Sequence, residues 1–591
     1  MPGTQPSDTA SLPDSVDLVI LGSGAGGLTA ALTGAINGLR CMVLESQPVI
    51  GGTTARSSGT VWVPDNHHMR AAGITDDRAR AETYLSALVG ERGDPALWQA
   101  FLDLAPQMLR DLENRAGLRF RPFMAAPDYR QDQPGAAPGG RPLEPLEMDG
   151  RLLSDDFARL AWPLPELMLF GGMMITRAEA AQLLRADRSP RAAWLGLRLV
   201  ARYLRDRLRH ARGTRLVLGN GLVAQLLHAL QGHGVPVLTG VTGARLLCDA
   251  GRVHGVRFTH AGQSVTLAAR RGVVLAGGGF PASAEWRARH LPAPTPEHSP
   301  AAAGCDGSSI IAGLEAGATL GPDGQDNAQW FPSSLMTRAD GSTAVYPHII
   351  LDRAKPGALA VNRQGRRFVN EAVSYHEFVR GMYFAKGGPH VPAFMICGRD
   401  FIRRYGLGLI RPRTPSLRRY VRNGYLAEAQ SLDDLAAQLG LPADALAATV
   451  ARFNDFAETG CDEDFKRGET IYERANGDPA LGPNPCLGPL AGPPYYAVAL
   501  WPTPLGTSRG LMADTRGRAL DAGGAPIPGL YVCGNDMQSA FGGEYPGAGG
   551  QIGQAMAFAW AAAQHAAASE RPATGGEPSN PNRETTSQDQ G

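Results

Sequence analysis

The sequence predicts an α/β fold: a doubly wound, Rossmann-type nucleotide-binding domain that carries an inserted α+β capping domain. Three observations predict it. Residues 16–21 (VDLVIL) form a continuous apolar run that leads straight into a glycine loop, Gly22-Ser23-Gly24-Ala25-Gly26-Gly27. Such a run reads as a strand buried on both faces. An Ala/Gly-rich stretch at 26–37 and a second apolar run at 40–45 (RCMVLE) then complete a strand–helix–strand unit of about 30 residues. Near the other end, 529–534 (GLYVCG) is a further buried strand with a helix at 551–564 behind it, while 331–500 has a different texture, richer in aromatic and basic residues.

The 591 residues suffice for more than one domain. The nucleotide-binding domain is expected to be discontinuous, 14–328 plus 500–568, with the catalytic cap at 329–499 between its parts. Residues 1–13 and 569–591 are rich in Pro, Ser, Gly and polar groups and are predicted to be disordered tails. Residues 121–150 read as loop. An amphipathic helix is predicted at 195–208, inside a segment, 185–215, that holds ten arginines against two aspartates. Its expected state is an ordinary solvated helix with Leu, Val and Trp packed inward, and the alternative is contact with a membrane surface or an anionic partner. Farther on come a helix at 222–230, a strand at 235–238 and a hairpin at 244–258 around Asp249-Ala250-Gly251. Strands at 265–269 and 272–275 follow, the second running into Ala276-Gly277-Gly278-Gly279, and 291–330 reads as a crossover.

Lys+Arg is 57 and Asp+Glu is 56, a net charge of +1, so no bulk positive charge is present to hold nucleic acid, and no nucleic-acid partner is expected. The seven cysteines are scattered, with no CxxC, CxxCH or zinc spacing, which argues against a disulfide framework, a c-type haem and a structural zinc; no metal is expected. Cysteine usage fits a reducing compartment. The start of the chain shows no basic-plus-apolar signal pattern, and no apolar run reaches the ~18 residues of a transmembrane helix. The expected place is the cytoplasm, extended by the alternative of peripheral contact with the inner face of the membrane.

Gly22, Gly24 and Gly27 satisfy G-x-G-x-x-G in the context that the motif needs, after a strand and at the opening of a helix. Gly22 permits the turn, Gly24 lets a pyrophosphate approach the backbone, and Gly27 allows tight helix–strand packing. With Ser23, Ala25 and Gly26 this loop turns free N–H groups toward phosphate. Glu45, with Ser46 beside it, ends the second strand 18 residues after Gly27 and suits the ribose hydroxyls. The small and hydroxyl residues of Gly51-Gly52-Thr53-Thr54 and Ser57-Ser58-Gly59 suit a long flat cofactor, Gly52, Thr53, Thr54, Ser58 and Gly59 lining it. Gly277, the Gly534-Asn535 pair, and Gly550 with Ile552 in the last glycine-led helix start form the rest of the close-approach set.

These motifs, with GALAVNRQGRRFVNEAVSY, LGTSRGL, IPGLYVCGN and GGEYPGAGGQIG, resemble the FAD flavoprotein superfamily of fumarate reductases and 3-ketosteroid dehydrogenases, and within it the 3-ketosteroid Δ1-dehydrogenase branch, over about 16–568. The resemblance implies non-covalent FAD and a dehydrogenase that introduces a C1–C2 double bond beside the carbonyl of a 3-ketosteroid. It implies that Tyr375 abstracts the proton, that Tyr545 O–H and Gly549 N–H polarise the ketone, and that Tyr129 assists the base. Fumarate reductases carry an arginine where Tyr375 stands, and Arg380, five residues on, does not fill that slot. Three alternatives remain: a desaturase of another cyclic ketone such as oxocyclohexanecarboxylate, with Arg399 or Arg509 binding the acid; a fumarate-reductase-like ene reductase; and a flavin-carrying subunit that docks on a membrane electron-transfer partner through the arginine face at 185–215. The partners expected are a cyclic ketone or steroid and an electron acceptor that is a quinone or an external carrier. The resemblance departs at Ser508 and Arg509, where a lysine and a glycine are usual. Gly506-Thr507-Ser508-Arg509-Gly510 also matches G-x-S-x-G, but no strand is predicted before it. His67-His68 reads as a solvated pair, and Glu544 is expected to raise the pKa of Tyr545.

Overall fold

The computed structural model describes residues 12–569 apart from 166–167, 184–188 and 350–351, so the predicted tails fall almost wholly outside the described residues. β1 (Ser15–Leu21) is the axis of an eight-stranded sheet. It pairs in parallel with β2 (Cys41–Glu45) on one side and with Gln263–Leu275 on the other, and α1 (Ala25–Ile36) makes the crossover between β1 and β2. Val237–Thr239 extends the sheet beyond β2, and Pro526–Val532 extends it beyond Gln263–Leu275, both in parallel. Four of these five strands are largely or wholly buried at their ends nearest the glycine loop, as continuous apolar runs require. The strand order reverses at β1, so the loop after β1 opens at a topological switch point, where this class of sheet binds its ligands.

The strands expected at 265–269 and 272–275 are one strand, Gln263–Leu275, whose first part pairs with the antiparallel hairpin Thr242–Asp249 and Arg252–His260. The sequence suggests a break because Gly272 interrupts the apolar pattern. Gly272 has φ 132°, and a Cβ there would lie 2.3 Å from the Gly529 carbonyl oxygen of the neighbouring strand, so a side chain has no room.

The second sheet is antiparallel and has six strands. In order they are Thr343–Pro347, Ala328–Thr337, Tyr495–Thr507, Ala393–Gly398 and Ala358–Val361, with Ala427–Ala429 beside Tyr495–Thr507. Leu359, Val361, Phe394, Ile396 and Ala497 on its strands bury against Leu435, Leu446, Val450 and Phe453 of the helices Leu432–Leu439 and Ala443–Thr459. Tyr495–Thr507 passes residue 500 without a break and delivers the chain back to the nucleotide-binding sheet.

The helix Tyr375–Phe384 packs against this second sheet, and the segment leading into it is held by buried charges. Glu371 pairs with Arg367 at 2.7 Å and Arg467 at 3.1 Å, and Arg367 also reaches Asp462 at 2.8 Å. Ser374 then caps the helix by accepting from the Glu377 N–H. Burial by itself would raise the Glu371 pKa, but Arg367 and Arg467 hold it below the ordinary glutamate value. Because the folded value is depressed, the stabilisation is complete above about pH 4.3, the free-chain value, and is lost as pH falls through the folded value. Glu371→Gln should cost about 3–5 kcal/mol, since it leaves Arg467 charged and unpaired in the interior. Urea unfolding at pH 7 measures this, and the difference from the parent should shrink below about pH 4.

Candidate active site

The glycine loop after β1 is an anion cradle. The Gly22 N–H donates to the Leu44 carbonyl at 2.8 Å, and Gly22 has φ 107°. A Cβ at Gly27 would lie 1.9 Å from the Gly22 oxygen, so the helix closes tightly on the turn. A Cβ at Gly24 meets only Thr54 Oγ1, at 3.7 Å, and one at Gly52 would face Gly24 at 3.8 Å. Two bare glycines therefore leave a slot over the start of α1. Among the described residues the N–H groups of Gly24, Gly26 and Gly27 have no protein acceptor, whereas Ala25 N–H donates to Thr54 Oγ1 at 3.0 Å. Free N–H groups at a helix start, beside an open slot, fit a pyrophosphate.

Glu45 is buried at the end of β2. It accepts from Ser23 N–H at 2.9 Å, Ser23 Oγ at 2.5 Å, Gln47 N–H at 2.9 Å and Ser46 Oγ at 3.3 Å. These donors fix its carboxylate and use Ser23 and Ser46 as supports. Thr53 Oγ1 accepts from Ala302 N–H at 3.0 Å, and Ser58 Oγ lies 3.0 Å from Thr60 Oγ1. Gly59 has φ 63° and lies against Leu218 and Gly219. Gly534 and Asn535 follow the strand Pro526–Val532, which pairs with Gln263–Leu275, the strand that leads to Gly277. Asp536, next to Gly534 and Asn535 in the chain, holds the Gly277 loop, accepting from Gly277 N–H at 2.6 Å, Gly279 N–H at 2.8 Å and Ser309 Oγ at 2.6 Å. Gly550 opens the last helix, Gly550–Ala568, and Ile552 packs on the core one turn in.

Tyr129, Tyr375 and Tyr545, far apart in sequence, meet in one buried aromatic cluster with Phe331, Tyr472 and Ala548. The hydroxyls of Tyr129 and Tyr375 are 2.6 Å apart. The Tyr545 ring lies edge-on to both, at centroid distances of 5.3 Å from Tyr129 and 5.7 Å from Tyr375. Burial pushes the Tyr129 and Tyr375 phenols well above the ordinary tyrosine value, and it pushes Tyr545 up to about 12. The phenols are therefore neutral in the resting protein. Glu544 is not the cause for Tyr545, contrary to expectation: its carboxylate is taken by Arg380 at 2.8 Å and Arg92 at 3.1 Å. Gly549 has φ 91°, and its carbonyl accepts from Trp62 N–H at 3.2 Å. Among the described residues its own N–H has no acceptor, which leaves one donor on the Tyr545 turn for a ligand.

Buried polar groups hold each phenol. Asp128 accepts from Trp62 Nε1 at 2.9 Å, Ala137 N–H at 2.9 Å and Arg141 Nη1 at 2.7 Å, while the Tyr129 N–H donates to the Pro546 carbonyl at 3.0 Å. The loop predicted at 121–150 is thus irregular but pinned, with a short strand, Pro142–Pro145, inside it. Arg380, on the helix that starts at Tyr375, reaches Asp326 at 2.9 Å and Glu544 at 2.8 Å. It locks the Tyr375 helix to the turn that carries Tyr545.

Some readings are corrected by position. A strand, Tyr495–Thr507, does precede the G-x-S-x-G segment, but Ser508 makes only backbone bonds, to Asn327 and Ser539, and no histidine is hydrogen-bonded to it among the described residues. Arg509 pairs with Asp323 and also donates to the Gly321 carbonyl, and Arg399 is exposed on a cap helix, so neither belongs to the phenol cluster. His67 and His68 are not simply solvated: both place Nε2 against the Glu113 carboxylate, at 2.9 and 2.7 Å. Sequence reading missed Phe331, Tyr472 and Arg177. The Arg177 charge lowers the pKa of Tyr129, Tyr472 and Tyr545, partly offsetting burial. A lone tyrosine in ETIYERAN and a lone arginine in ITRAEA carry no local signal of this.

A parallel sheet with a glycine cradle at its switch point, closed by a phenol cluster under a cap, defines a flavin-dependent oxidoreductase. The sequence pattern of the FAD binding domain family spans residues 17–552. A 3-oxosteroid 1-dehydrogenase of Mycobacterium tuberculosis is 38% identical over 570 residues, 93% of this chain and 98% of that one. A 4-oxocyclohex-2-ene-1-carboxylate 5-dehydrogenase of Sinomonas cyclohexanicum is 34% identical, covering 93% of each chain. The crystal structure of the 3-ketosteroid Δ1-dehydrogenase of Sterolibacterium denitrificans, in complex with 1,4-androstadiene-3,17-dione, superimposes with a TM-score of 0.87. The two are 35% identical, over 94% of this chain and 100% of that one. The chain belongs to the FAD-binding flavoprotein superfamily, in the branch of the 3-ketosteroid Δ1-dehydrogenases.

The cradle fits FAD, and it separates two kinds of glycine. Gly24→Val should change the unfolding free energy of the cofactor-free protein by no more than about 1 kcal/mol, the cost of a poorer helix cap, because the Cβ meets only Thr54 Oγ1, at 3.7 Å. It should weaken FAD retention at least about tenfold, or ~1.4 kcal/mol, by filling the slot. The ratio of flavin to protein absorbance after gel filtration reads the loss. Gly27→Ala, by contrast, should lower the unfolding midpoint itself.

Proposed function

We propose that the protein is an FAD-dependent dehydrogenase that converts a 3-ketosteroid to its 1(2)-ene. The observation that carries this reading is the 2.6 Å bond between Tyr129 and Tyr375 inside the cluster that also holds Tyr545. A C–C desaturation beside a carbonyl needs an acid or donor at the ketone oxygen and a base at the α-carbon. Tyr545, kept neutral by burial, suits the donor, and the unpartnered Gly549 N–H on the same turn supplies the second. Tyr375 takes the C2 proton as the enolate forms, and Tyr129 passes the proton on through their shared bond. FAD, when bound, supplies the acceptor for the hydride that leaves C1. The proposed FAD contacts are Gly22, Ser23, Gly24, Ala25, Gly26, Gly27, Glu45, Ser46, Gly52, Thr53, Thr54, Ser58, Gly59, Gly277, Gly534, Asn535, Gly550 and Ile552. The domain division proposed is 14–328 with 500–568 for FAD and 329–499 for the cap, its seam inside the strand Tyr495–Thr507. The electrons are proposed to pass to a quinone or an external carrier, and the station of the protein is the cytoplasm or the inner face of the membrane.

A second reading has one observation in its favour. The half-buried Arg177 acts electrostatically on three cluster tyrosines, which suits a smaller cyclic ketone bearing a carboxylate. Anaerobic bleaching of the bound flavin separates the readings. A 3-keto-4-ene steroid should bleach it, whereas faster bleaching by 4-oxocyclohexanecarboxylate, lost in Arg177→Leu, would move the assignment. An ene reductase acting on dicarboxylates has less support, because Arg380 is committed to Asp326 and Glu544.

Tyr375→Phe should lower kcat by roughly 10²-fold or more with little change in KM, as expected for loss of a general base. Burial raises the phenol's pKa, so the base form is scarce near neutrality and gains population as pH rises. The rate of the parent should therefore climb from pH 7 through about 10, the ordinary tyrosine value, and the residual rate of Tyr375→Phe should not show that limb. Steady-state rates across this range check both.

A further inference from the structure

His67 and His68 do what neighbouring residues of a helix seldom do. Successive helical side chains diverge by about 100°, yet both rings bring Nε2 to one carboxylate, that of Glu113, at 2.9 and 2.7 Å. They open the short helix His67–Ala71, whose start is set by Asn66, its side chain accepting from Met69 N–H at 3.0 Å. The two ring centroids are 4.2 Å apart. Glu113 comes from a different element, the long helix Pro95–Ala116. The side chains of Glu113 and His68 are 14% and 23% exposed and that of His67 39%, so the cluster opens to solvent on the His67 side.

Hydrogen bonding satisfies only half of this contact. His68 Nε2 and Glu113 Oε1 form a hydrogen bond at 2.7 Å. Glu113 Oε2 is buried and has no hydrogen-bond partner among the described residues, although His67 Nε2 lies 2.9 Å from it. That contact is close enough for a hydrogen bond and misaligned for one. A buried carboxylate oxygen without a donor is costly, and a cation between the three side chains removes the cost. Two imidazole nitrogens and one carboxylate oxygen, all within 4.8 Å of one another, suit a borderline first-row divalent ion, and three protein ligands leave a fourth position for water. Such ligands sit ~2.0–2.1 Å from a tetrahedral ion and so about 3.3 Å from each other, and side-chain shifts of roughly half an ångström admit it. The sequence expectation of no metal rested on cysteine spacing, and an adjacent histidine pair whose third ligand lies on another helix escapes that rule.

We infer that His67, His68 and Glu113 bind a divalent transition-metal ion of the zinc or cobalt kind, which fastens the helix His67–Ala71 to the helix Pro95–Ala116. The ring of His67 is ready for this. Burial, with the charges of His68 and Arg110, outweighs Glu113 and holds His67 below the ordinary histidine value, so it is neutral near pH 7. Arg110, one turn before Glu113, also repels the ion, which sets the expected affinity at micromolar order. Both sides of the clamp lead to Tyr129. Asn66 Nδ2 donates to the carbonyls of Val63 at 2.7 Å and Gly140 at 3.1 Å, beside Arg141, which holds Asp128. Phe101, on the Glu113 helix, stacks on Trp62 with centroids 5.8 Å apart, and Trp62 Nε1 donates to Asp128 as well. An ion joining the two helices therefore steadies the segment that carries Tyr129, without touching the chemistry.

The test uses the full chain loaded with FAD, free of any histidine tag and stripped with EDTA. Calorimetric titration with ZnCl2 should show one saturable site of micromolar order, and the unfolding midpoint should rise as zinc is added. MgCl2 should do neither, because imidazole ligands suit it poorly. CoCl2 should give visible d–d absorption without the intense near-ultraviolet band of a thiolate ligand. His67→Asn/His68→Asn and Glu113→Gln should each weaken zinc binding at least about tenfold. Both variants keep the exposed Cys248 and Cys461, so the loss assigns the ion to the cluster. The histidine pair, being the more exposed, carries the test if Glu113→Gln does not hold its flavin. A parent midpoint that does not respond to zinc would overturn the inference. So would zinc affinity unchanged in His67→Asn/His68→Asn, or an equal response to magnesium. No substrate is used, so a failure of steroids to bleach the flavin would end the substrate reading and leave this result standing.

Discussion

The arrangement of the site depends on one buried ion cluster, Arg380 with Asp326 and Glu544. Arg380 belongs to the cap helix that begins at Tyr375, Asp326 stands just before the first long strand of the cap sheet, and Glu544 precedes Tyr545. Burying three charges is expensive, and it is tolerable only because each carboxylate has a guanidinium partner within hydrogen-bond reach. That strictness is useful. A shift of the cap would separate a pair and leave a charge unpaired, so the helix has few alternative positions. The phenols of Tyr375 and Tyr545 inherit the alignment.

Asp128 plays the matching part for the third phenol. The chain around Tyr129 has no long regular element, yet Asp128 gathers an indole N–H, a backbone N–H and a guanidinium, and Pro546 binds the Tyr129 backbone. Saturating a buried carboxylate with donors makes an irregular loop as definite as a strand. The cluster formed in this way is buried and aromatic, which is why its phenols stay protonated. In the proposed mechanism, the shared hydrogen bond of Tyr129 and Tyr375 gives a proton somewhere to go.

The cofactor side uses absence rather than presence. Gly24 and Gly52 face each other with no side chain, and among the described residues three amides at the start of α1 have no protein acceptor. Hydroxyl and carboxylate groups there, Ser23, Ser46, Thr54 and Glu45, mostly bind one another or nearby amides, so they shape the slot. Asp536 does the same at the opposite wall by collecting the amides of Gly277 and Gly279. An approaching phosphate thus meets a backbone already set to receive it.

The sequence by itself determined the parallel sheet, the glycine turn and the nature of the ligand, because these are local. An apolar run, a turn that excludes side chains and the helix start after it all lie within about 30 neighbouring residues. It also singled out Tyr129, Tyr375 and Tyr545, through the motifs that surround them. The tertiary structure alone decided that these three phenols touch, that Tyr472 and Phe331 complete their wall, that Arg380 locks the cap helix to Asp326 and Glu544, and that Trp194 and Leu204 face outward. Each of those facts compares positions tens to hundreds of residues apart, or one face of a helix with the other. Amphipathic spacing is the same whether a stripe meets a core or the outside. Only the packing of the chain, which buries Leu199 and Tyr203 and leaves Trp194 63% exposed, distinguishes the two.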